Sequence, residues 1–262
     1  MGGDPLQSAW LKIERANQHA NVLDATIQRW LEDRPYGLSL DVDREAGEQV
    51  CRIHINRAPP LEWSVVIGEA IHGLRTALDH AVYALSGLGG EPPSGTEFPI
   101  FKDEPMFRNT NRPGGLWKIR GLRDGAREVV ESVQPFHHEG GEPEIHLLWV
   151  LHQLSNADKH RSLNLMSAFL GQSELSLEAN GGVTLKRSKV PASGPVKDGA
   201  ELARWAVAVR GEGKVQMKGQ IAYGVAFDEA GPAKGEPVKS SFDKLGNGVK
   251  SIVQMLADTI ES

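Results

Sequence analysis

Five ionisable side chains share one face of a candidate helix in the N-terminal half of the chain. They are Glu69, His72, Arg75, Asp79 and His80. An apolar face lies opposite when the residues are projected at about 100° per residue. Solvated helix faces usually carry lysine and glutamate, whereas this one carries two imidazoles, a guanidinium and two carboxylates. Such groups can move protons or bind a charged ligand, so this face is a candidate site.

A second candidate helix carries a matching polar stripe. The stripe consists of His152, Asn156, Lys159 and His160. Asp158 and Arg161 lie nearer the apolar side of this helix, where they can pair and close its end. Because each helix has one polar and one apolar face, we expect the two polar faces to pack against each other and form a single site.

Three interpretations of this cluster follow from side-chain chemistry. It can be a buried polar network that fixes how the helices pack, since hydrogen-bonded networks specify packing. It can be an acid–base catalytic site. It can also be a metal site, and the candidate ligands are then Glu69, His72, Asp79, His152 and His160. Arg75 and Lys159 would repel a cation at short range, so we predict no metal and no cofactor.

Composition limits the class of protein. The chain has 262 residues, a net charge of -5 and a single cysteine, Cys51. One large domain or two small ones are expected, without an intrachain disulfide, in a reducing compartment such as the cytoplasm. No stretch approaches the ~20 apolar residues of a membrane span, and the first residues do not resemble a secretory signal. The negative charge argues against broad non-specific nucleic-acid binding but allows a local basic patch.

Apolar periodicity predicts the elements that position these residues. Predicted helices span 5–32, 61–86, 125–133, 144–160 and 242–260. Predicted strands span 37–43, 49–55, 163–170, 174–178, 183–189, 205–210 and 215–228, with a hairpin turn at 180–182 and loops at 87–115 and 230–237. Helices early and strands late predict an α+β fold. Residues 1–162 form a mainly helical region with one β-hairpin, and residues 163–262 an antiparallel strand-rich region plus a closing helix, as two units or one continuous domain.

The loop between residues 102 and 123 is rich in cations and aromatic rings. Its cations are Lys102, Arg108, Arg112, Lys118, Arg120 and Arg123, and its rings include Phe107 and Trp117. Such a loop can contact RNA, or it can be an ordinary solvated loop. The chain has no Walker A loop, no dinucleotide fingerprint, no G-x-S-x-G elbow and no H-E-x-x-H motif. The run His137-His138-Glu139 lies in a glycine-rich segment and is interpreted as a solvated loop.

Two segments resemble the signatures of an uncharacterised bacterial and phage family. Residues 68–80 read G-E-A-I-H-G-L-R-T-A-L-D-H and resemble that family's L-R-S-A-L-D-H helix. Residues 156–161 read N-A-D-K-H-R and resemble its N-x-D-K-H-R signature. The segments 98–100, F-P-I, and 134–136, Q-P-F, also fit, so the resemblance covers roughly residues 10–165. It indicates relatives but implies no particular reaction.

A second resemblance does imply a reaction. The segment from Arg75 to His80 is similar to the R-x4-6-H motif of HEPN-type ribonucleases, with Thr76 as the polar residue after the arginine. In those helical proteins, which are common in toxin–antitoxin and phage-defence systems, the arginine and histidine cleave RNA without metal, often across a dimer interface. The resemblance therefore implies RNA and a second copy of this chain as partners. The long strand-rich C-terminal half departs from the HEPN pattern.

The sequence leaves three functions open. The leading hypothesis is a HEPN-like RNA-cleaving or RNA-binding protein of a bacterial defence or toxin-type system. Its candidate catalytic residues are Arg75, His80, His160 and His152, and its candidate positioning residues are Glu69, His72, Asp79, Asn156, Asp158, Lys159 and Arg161. The first alternative is a non-enzymatic interaction protein with a structural polar network. The second is a metal-dependent hydrolase.

Overall fold

The computed structural model has an α+β fold. It describes residues 4–163, 165–170, 176–179, 183–189, 194–209, 215–218, 223–228, 231 and 233–260. The helices are α1 (Gln7–Glu32), α2 (Leu61–Ser86), α3 (Glu104–Arg108), α4 (Gly115–Lys118), α5 (Asp124–Ser132), α6 (Leu147–His160) and α7 (Val238–Asp258). The strands are β1 (Tyr36–Asp43), β2 (Glu48–Ile55), β3 (Leu165–Leu170), β4 (Ser176–Ala179), β5 (Val183–Lys189), β6 (Gly194–Pro195), β7 (Glu201–Val209), β8 (Val215–Lys218) and β9 (Tyr223–Phe227).

Three long helices form the main core. Helices α1, α2 and α7 contact one another, and each contributes a buried apolar stripe. Close approach of α1 and α2 is possible at Gly73, where an added Cβ would lie 3.4 Å from the Cβ of Ala16. Helix α6 contacts α2 and α7, and its Leu148 and Leu151 are buried in the same core. The two helices predicted to carry the site therefore belong to one packed unit.

The described strands form three antiparallel sheets. Their orders are β1-β2-β7-β5, β6-β3-β9 and β4-β8. In the largest sheet, Cys51 of the N-terminal hairpin lies opposite Ala203 of β7. The hairpin turns at Gly47, whose φ of 67° suits glycine. Elements from both sides of residue 162 thus share a sheet as well as the helical core.

The segment from Phe98 to Phe101 is held by a buried glutamine. Gln134, 1% exposed, donates from Nε2 to the carbonyls of Pro99 and Val130 and accepts from the Phe101 amide at Oε1. These bonds satisfy backbone groups of an irregular segment that would otherwise be buried without partners. The F-P-I and Q-P-F motifs therefore meet in space, and they fix the segment that borders α2 and α6.

Several predicted boundaries need correction. The interval 87–115, predicted as loop, contains α3, whose N-cap Asp103 accepts a hydrogen bond from the Met106 amide. The predicted strand 215–228 corresponds to β8 and β9, which lie in different sheets. The closing helix begins at Val238, four residues before the predicted start, and β7 begins at Glu201. The predicted turn at 180–182 lies outside the described residues, as do residues 174 and 175.

Within the described part of the chain, no helix is both long enough and apolar enough to cross a membrane.

Candidate functional site

Helices α2 and α6 pack side by side and run antiparallel. Near the start of α2, the buried Gly68 lies against the carboxylate of Asp158, near the end of α6. Further along α2, Arg75 acts electrostatically on His152, which comes earlier in α6. These two contacts set the direction of the helices, and they bring the polar residues of both helices to a common border.

Arg75 and Asp79 both form hydrogen bonds with the backbone of Phe98. Arg75 donates from Nη1 to Oδ1 of Asp79 at 2.6 Å and from Nη2 to the Phe98 carbonyl at 2.7 Å. Asp79 Oδ1 also accepts from the Phe98 amide at 2.9 Å. The Arg75 side chain is only 14% exposed and that of Asp79 is 32% exposed. These three hydrogen bonds hold the segment around Phe98 against α2, so Arg75 and Asp79 have a structural role.

His152 of α6 lies near Arg75 of α2, at the border of the two helices. The residue is partly buried, and its Nε2 lies 2.9 Å from Nδ2 of Asn156, one turn later in the helix. As placed, Nδ2 of Asn156 donates to Nε2, so a neutral ring carries its proton on Nδ1. If the amide is turned over, Oδ1 accepts from Nε2–H and Nδ1 becomes the acceptor. Nδ1 has no hydrogen-bond partner among the residues described. The ring is thus oriented through one nitrogen and leaves the other available for a ligand.

Charge around His152 is predominantly positive. Burial lowers the pKa of His152, and neighbouring cations lower it further. These cations are Arg75, Lys159 and Lys118. Glu97, which forms an ion pair with Lys118, acts in the opposite direction. The imidazole is therefore neutral at pH 7 and lies where an anion is attracted. We use the name His152 cleft for the border of α2 and α6 where Arg75, Lys118, Lys159 and Glu97 act on His152.

Asp158 lies further along α6, against Gly68 of α2. Burial raises the pKa of the Asp158 carboxyl, Glu69 raises it as well, and His72 acts against that rise. Glu69 and His72 are both exposed on α2. Two of the residues predicted for the site therefore lie beside Asp158 at the solvent edge of the helix pair.

The remaining predicted residues lie elsewhere. His80 faces α1, where its Nδ1 lies 2.7 Å from the hydroxyl of Ser8. His160 and Arg161 are exposed at the end of α6, and Arg161 is its C-cap residue. Arg75 and His80, the HEPN-like pair, therefore point to different neighbours within one chain.

Much of the basic loop has a structural role. Arg108 forms ion pairs with Glu104 and Glu131. Lys102 pairs with Glu144, and Arg120 donates to two backbone carbonyls. Arg112 is exposed and lies over the Trp117 ring at 5.6 Å. Among these cations, Lys118 is the one that acts electrostatically on His152.

The candidate metal ligands do not converge. Asp79 is engaged by Arg75 and Phe98, whereas His152 pairs with Asn156. Within the described ranges, no group of three or more histidine, cysteine, aspartate or glutamate side chains could hold an ion. The geometry gives the metal-dependent alternative no ligand set there.

Two contributors to the cleft were not predicted from the sequence. Glu97 lies in the segment assigned to a loop, and Trp149 was not singled out on the second helix. Trp149 lies beside His152, with ring centroids 5.2 Å apart. Its position three residues before His152 was the available signal, since residues three apart are neighbours on a helix.

The chain was compared with known protein families, curated proteins and solved structures, and none of them matches it. The resemblances to the phage family and to HEPN proteins rest on the quoted motifs and stay predictions.

Replacing Gly68 by alanine is expected to separate α2 from α6 locally. The new Cβ would collide with the Asp158 carboxylate, and overpacking of this kind costs about 1–3 kcal/mol of unfolding free energy. Gly73→Ala is the matched control, because its Cβ would make an ordinary contact with Ala16 while improving helix propensity. Urea denaturation should show Gly68→Ala less stable and Gly73→Ala at least as stable as the wild type. Equal stability of the two variants would contradict the close Gly68–Asp158 contact.

Acid is expected to weaken the start of α6. His146 is its N-cap, and its Nδ1 accepts a hydrogen bond from the Leu148 amide, which a protonated ring cannot do. Burial, and then the nearby His138, lower the pKa of His146 below its ordinary value. The unfolded chain therefore binds protons first, and stability falls as pH drops below about 6.5 until the folded-state pKa is passed.

The measurement is the unfolding free energy at pH 7.5 and pH 5. His146→Asn keeps a capping acceptor that does not titrate, so its loss on acidification should be smaller than that of the wild type, by up to about 1 kcal/mol. His152, with a lowered pKa, and Asp158, with a raised one, are present in both proteins and cancel in the comparison. Identical losses in the two proteins would show that His146 does not cap as a neutral ring.

Proposed function

We propose that this chain binds RNA in the His152 cleft and cleaves it without a metal ion. The observation that carries the proposal is a partly buried imidazole on which three cations and one carboxylate act, with burial and the cations lowering its pKa. A phosphodiester is the common anion whose chemistry uses both features, because it needs positive charge for its oxygens and a base for the adjacent 2′-hydroxyl. The proposal shifts the centre of the reaction from His80 to His152.

The proposed reaction is an attack within the RNA. The 2′-oxygen forms a bond to the adjacent phosphorus, and the bond from phosphorus to the next nucleotide's 5′-oxygen breaks. With the Asn156 amide turned so that its Oδ1 accepts from Nε2–H, His152 takes the 2′-hydroxyl proton at Nδ1. We assign the return of a proton to the 5′-oxygen to His72. Lys118 and Lys159 attract the phosphate oxygens. The products are a 2′,3′-cyclic phosphate and a 5′-hydroxyl.

Arg75 has an indirect part in this proposal. Its Nη1 donates to Asp79 and its Nη2 to the Phe98 carbonyl. Arg75 therefore contributes positive charge without direct contact to the phosphate. The HEPN-like pairing of Arg75 with His80 would need a second protomer. It is distinguished from the present proposal by the effect of substituting His80.

The second candidate function is a non-enzymatic interaction protein with a structural polar network. The hydrogen bonds of Arg75 and Asp79 to Phe98 favour this function, because they give two of the candidate site residues on α2 a structural role. In that case no RNA would be bound or cleaved, and the cleft would serve only helix packing.

Removing the charge of Lys159 is expected to weaken RNA binding and to reduce its salt dependence. Lys159 is exposed, forms no ion pair within the described ranges, and acts on His152. One lost phosphate contact lowers the slope of log K against log salt by about 0.7 for a single strand. The measurement is anisotropy of a labelled single-stranded RNA between 50 and 200 mM salt, roughly the range in which such binding changes most, with excess EDTA.

Arg44→Gln is the matched control for Lys159→Gln. Arg44 is exposed in the turn between β1 and β2, and its substitution removes the same charge. The proposal expects a smaller slope for Lys159→Gln and a wild-type slope for Arg44→Gln. Equal slopes for both variants, or no RNA binding by the wild type, would reject a phosphate site in the cleft.

A further inference from the structure

Trp149 forms an aromatic wall beside the His152 cleft. It lies in the first turn of α6, is partly exposed, and has its ring 5.2 Å from that of His152 with an angle of 32° between the planes. The ammonium of Lys102 lies 5.3 Å from the centroid of the Trp149 ring. Lys102 in turn pairs with Glu144 at 2.8 Å. A cation, an indole and an imidazole are thus neighbours at the edge of the cleft.

The lysine is held over the indole only weakly. Lys102 and Glu144 have side chains that are 45% and 51% exposed, and ion pairs of this kind contribute little to stability. A flat ligand can therefore displace Lys102 from the Trp149 ring at small cost. The freed ammonium would then be available to a phosphate close to the one in the cleft.

A nucleobase is the ligand that matches this wall. Every base has a π-face that stacks on an aromatic side chain, and single-stranded nucleic acids are held by such stacking together with a charged groove. We propose that Trp149 stacks an unpaired base of the RNA whose phosphate occupies the His152 cleft. This inference rests on the proposed function and specifies its substrate class as single-stranded RNA. A duplex keeps its bases stacked on each other and cannot use the wall.

A neighbouring tryptophan does not fit this role. Trp117 has two guanidiniums near its ring, with Arg112 at 5.6 Å and Arg120 at 4.2 Å from the centroid. Arg120 is fixed there by bonds to the carbonyls of Trp117 and Ser94. An added Cβ at Gly95 would also touch the Trp117 ring. That indole is packed into its own loop, whereas Trp149 is next to the imidazole proposed to react.

The test compares a single-stranded RNA with a chain of the same length that lacks bases. Binding is measured by anisotropy in excess EDTA at one salt concentration, for wild type, Trp149→Leu and Trp149→Phe, each checked for an unchanged melting temperature. One stacked base is expected to give the wild type a roughly 5- to 150-fold preference for the base-containing strand. Trp149→Leu should lose this preference and keep its affinity for the abasic chain, and Trp149→Phe should retain most of it.

Each other outcome overturns the inference in an identifiable way. An undiminished preference in Trp149→Leu, or no preference in the wild type while the abasic chain still binds, removes the stacking role and leaves the phosphate cleft standing. Equal affinity of the wild type for an RNA duplex and for a single-stranded RNA would likewise remove the stacking role and leave the phosphate cleft standing. Failure of both the RNA and the abasic chain to bind removes the proposed function itself, and the stacking role with it.

Discussion

Replacing Arg75 by alanine is expected to lower the free energy of unfolding by about 2–4 kcal/mol. The substitution leaves the partly buried Asp79 carboxylate without its cation and the Phe98 carbonyl without its donor. Removing one member of a fully buried ion pair costs about 3–5 kcal/mol, and the 32% exposure of Asp79 reduces that figure. Urea denaturation monitored by circular dichroism measures the change.

An exposed pair with the same spacing is the control for Arg75. Lys239 and Asp243 are also four apart on a helix, at 2.8 Å, but their side chains are 48% and 57% exposed. Lys239→Ala is therefore expected to change stability by less than about 0.5 kcal/mol. If Arg75→Ala and Lys239→Ala both change the free energy of unfolding only slightly, Arg75 does not stabilise the fold by binding Phe98. Arg75 would then be free to bind a ligand.

Sequence patterns were sufficient for the long elements. Helices α1, α2, α6 and α7 each contain several turns, so their apolar periodicity is visible, and their observed ends lie within a few residues of the predicted ones. Helices α3 and α4 have five and four residues, which is too short for periodicity to show. Helix α3 is fixed by its Asp103 cap and by Phe107, which is buried in the core. Only its tertiary partners reveal it.

The sequence predicted which faces of α2 and α6 are polar, but not which residues those faces contact. Arg75 and Asp79 are four residues apart, a spacing at which side chains on a helix meet. Their hydrogen bonds to Phe98, however, join positions 23 and 19 residues apart in the chain. His80 was assigned to the same polar face, yet a nearby hydroxyl on α1 binds its ring. A helical projection gives the direction of a side chain and not the element that it meets, so the separation of His80 from His152 had to come from the structure.

Replacing His152 by glutamine is expected to have the largest effect on the proposed reaction. Loss of a positioned general base typically lowers a rate by about 10²- to 10⁴-fold. Glutamine keeps a polar side chain near Asn156, so the fold should be retained, as a melting curve will show. His80→Gln is the matched variant, since it removes an imidazole from the same helix pair but on the side that faces Ser8. Its rate should stay within a few-fold of the wild type.

The most direct measurement is the incubation of an end-labelled single-stranded RNA with purified protein in excess EDTA, with analysis of the product ends. A 2′,3′-cyclic phosphate is expected from the wild type and from His80→Gln, and none from His152→Gln. Cleavage by His152→Gln at the wild-type rate would contradict the proposed reaction, as would a loss of cleavage in His80→Gln alone, which would favour the Arg75–His80 pairing across two protomers. Absence of cleavage by the wild type over a panel of RNA sequences would also contradict it and favour the interaction protein.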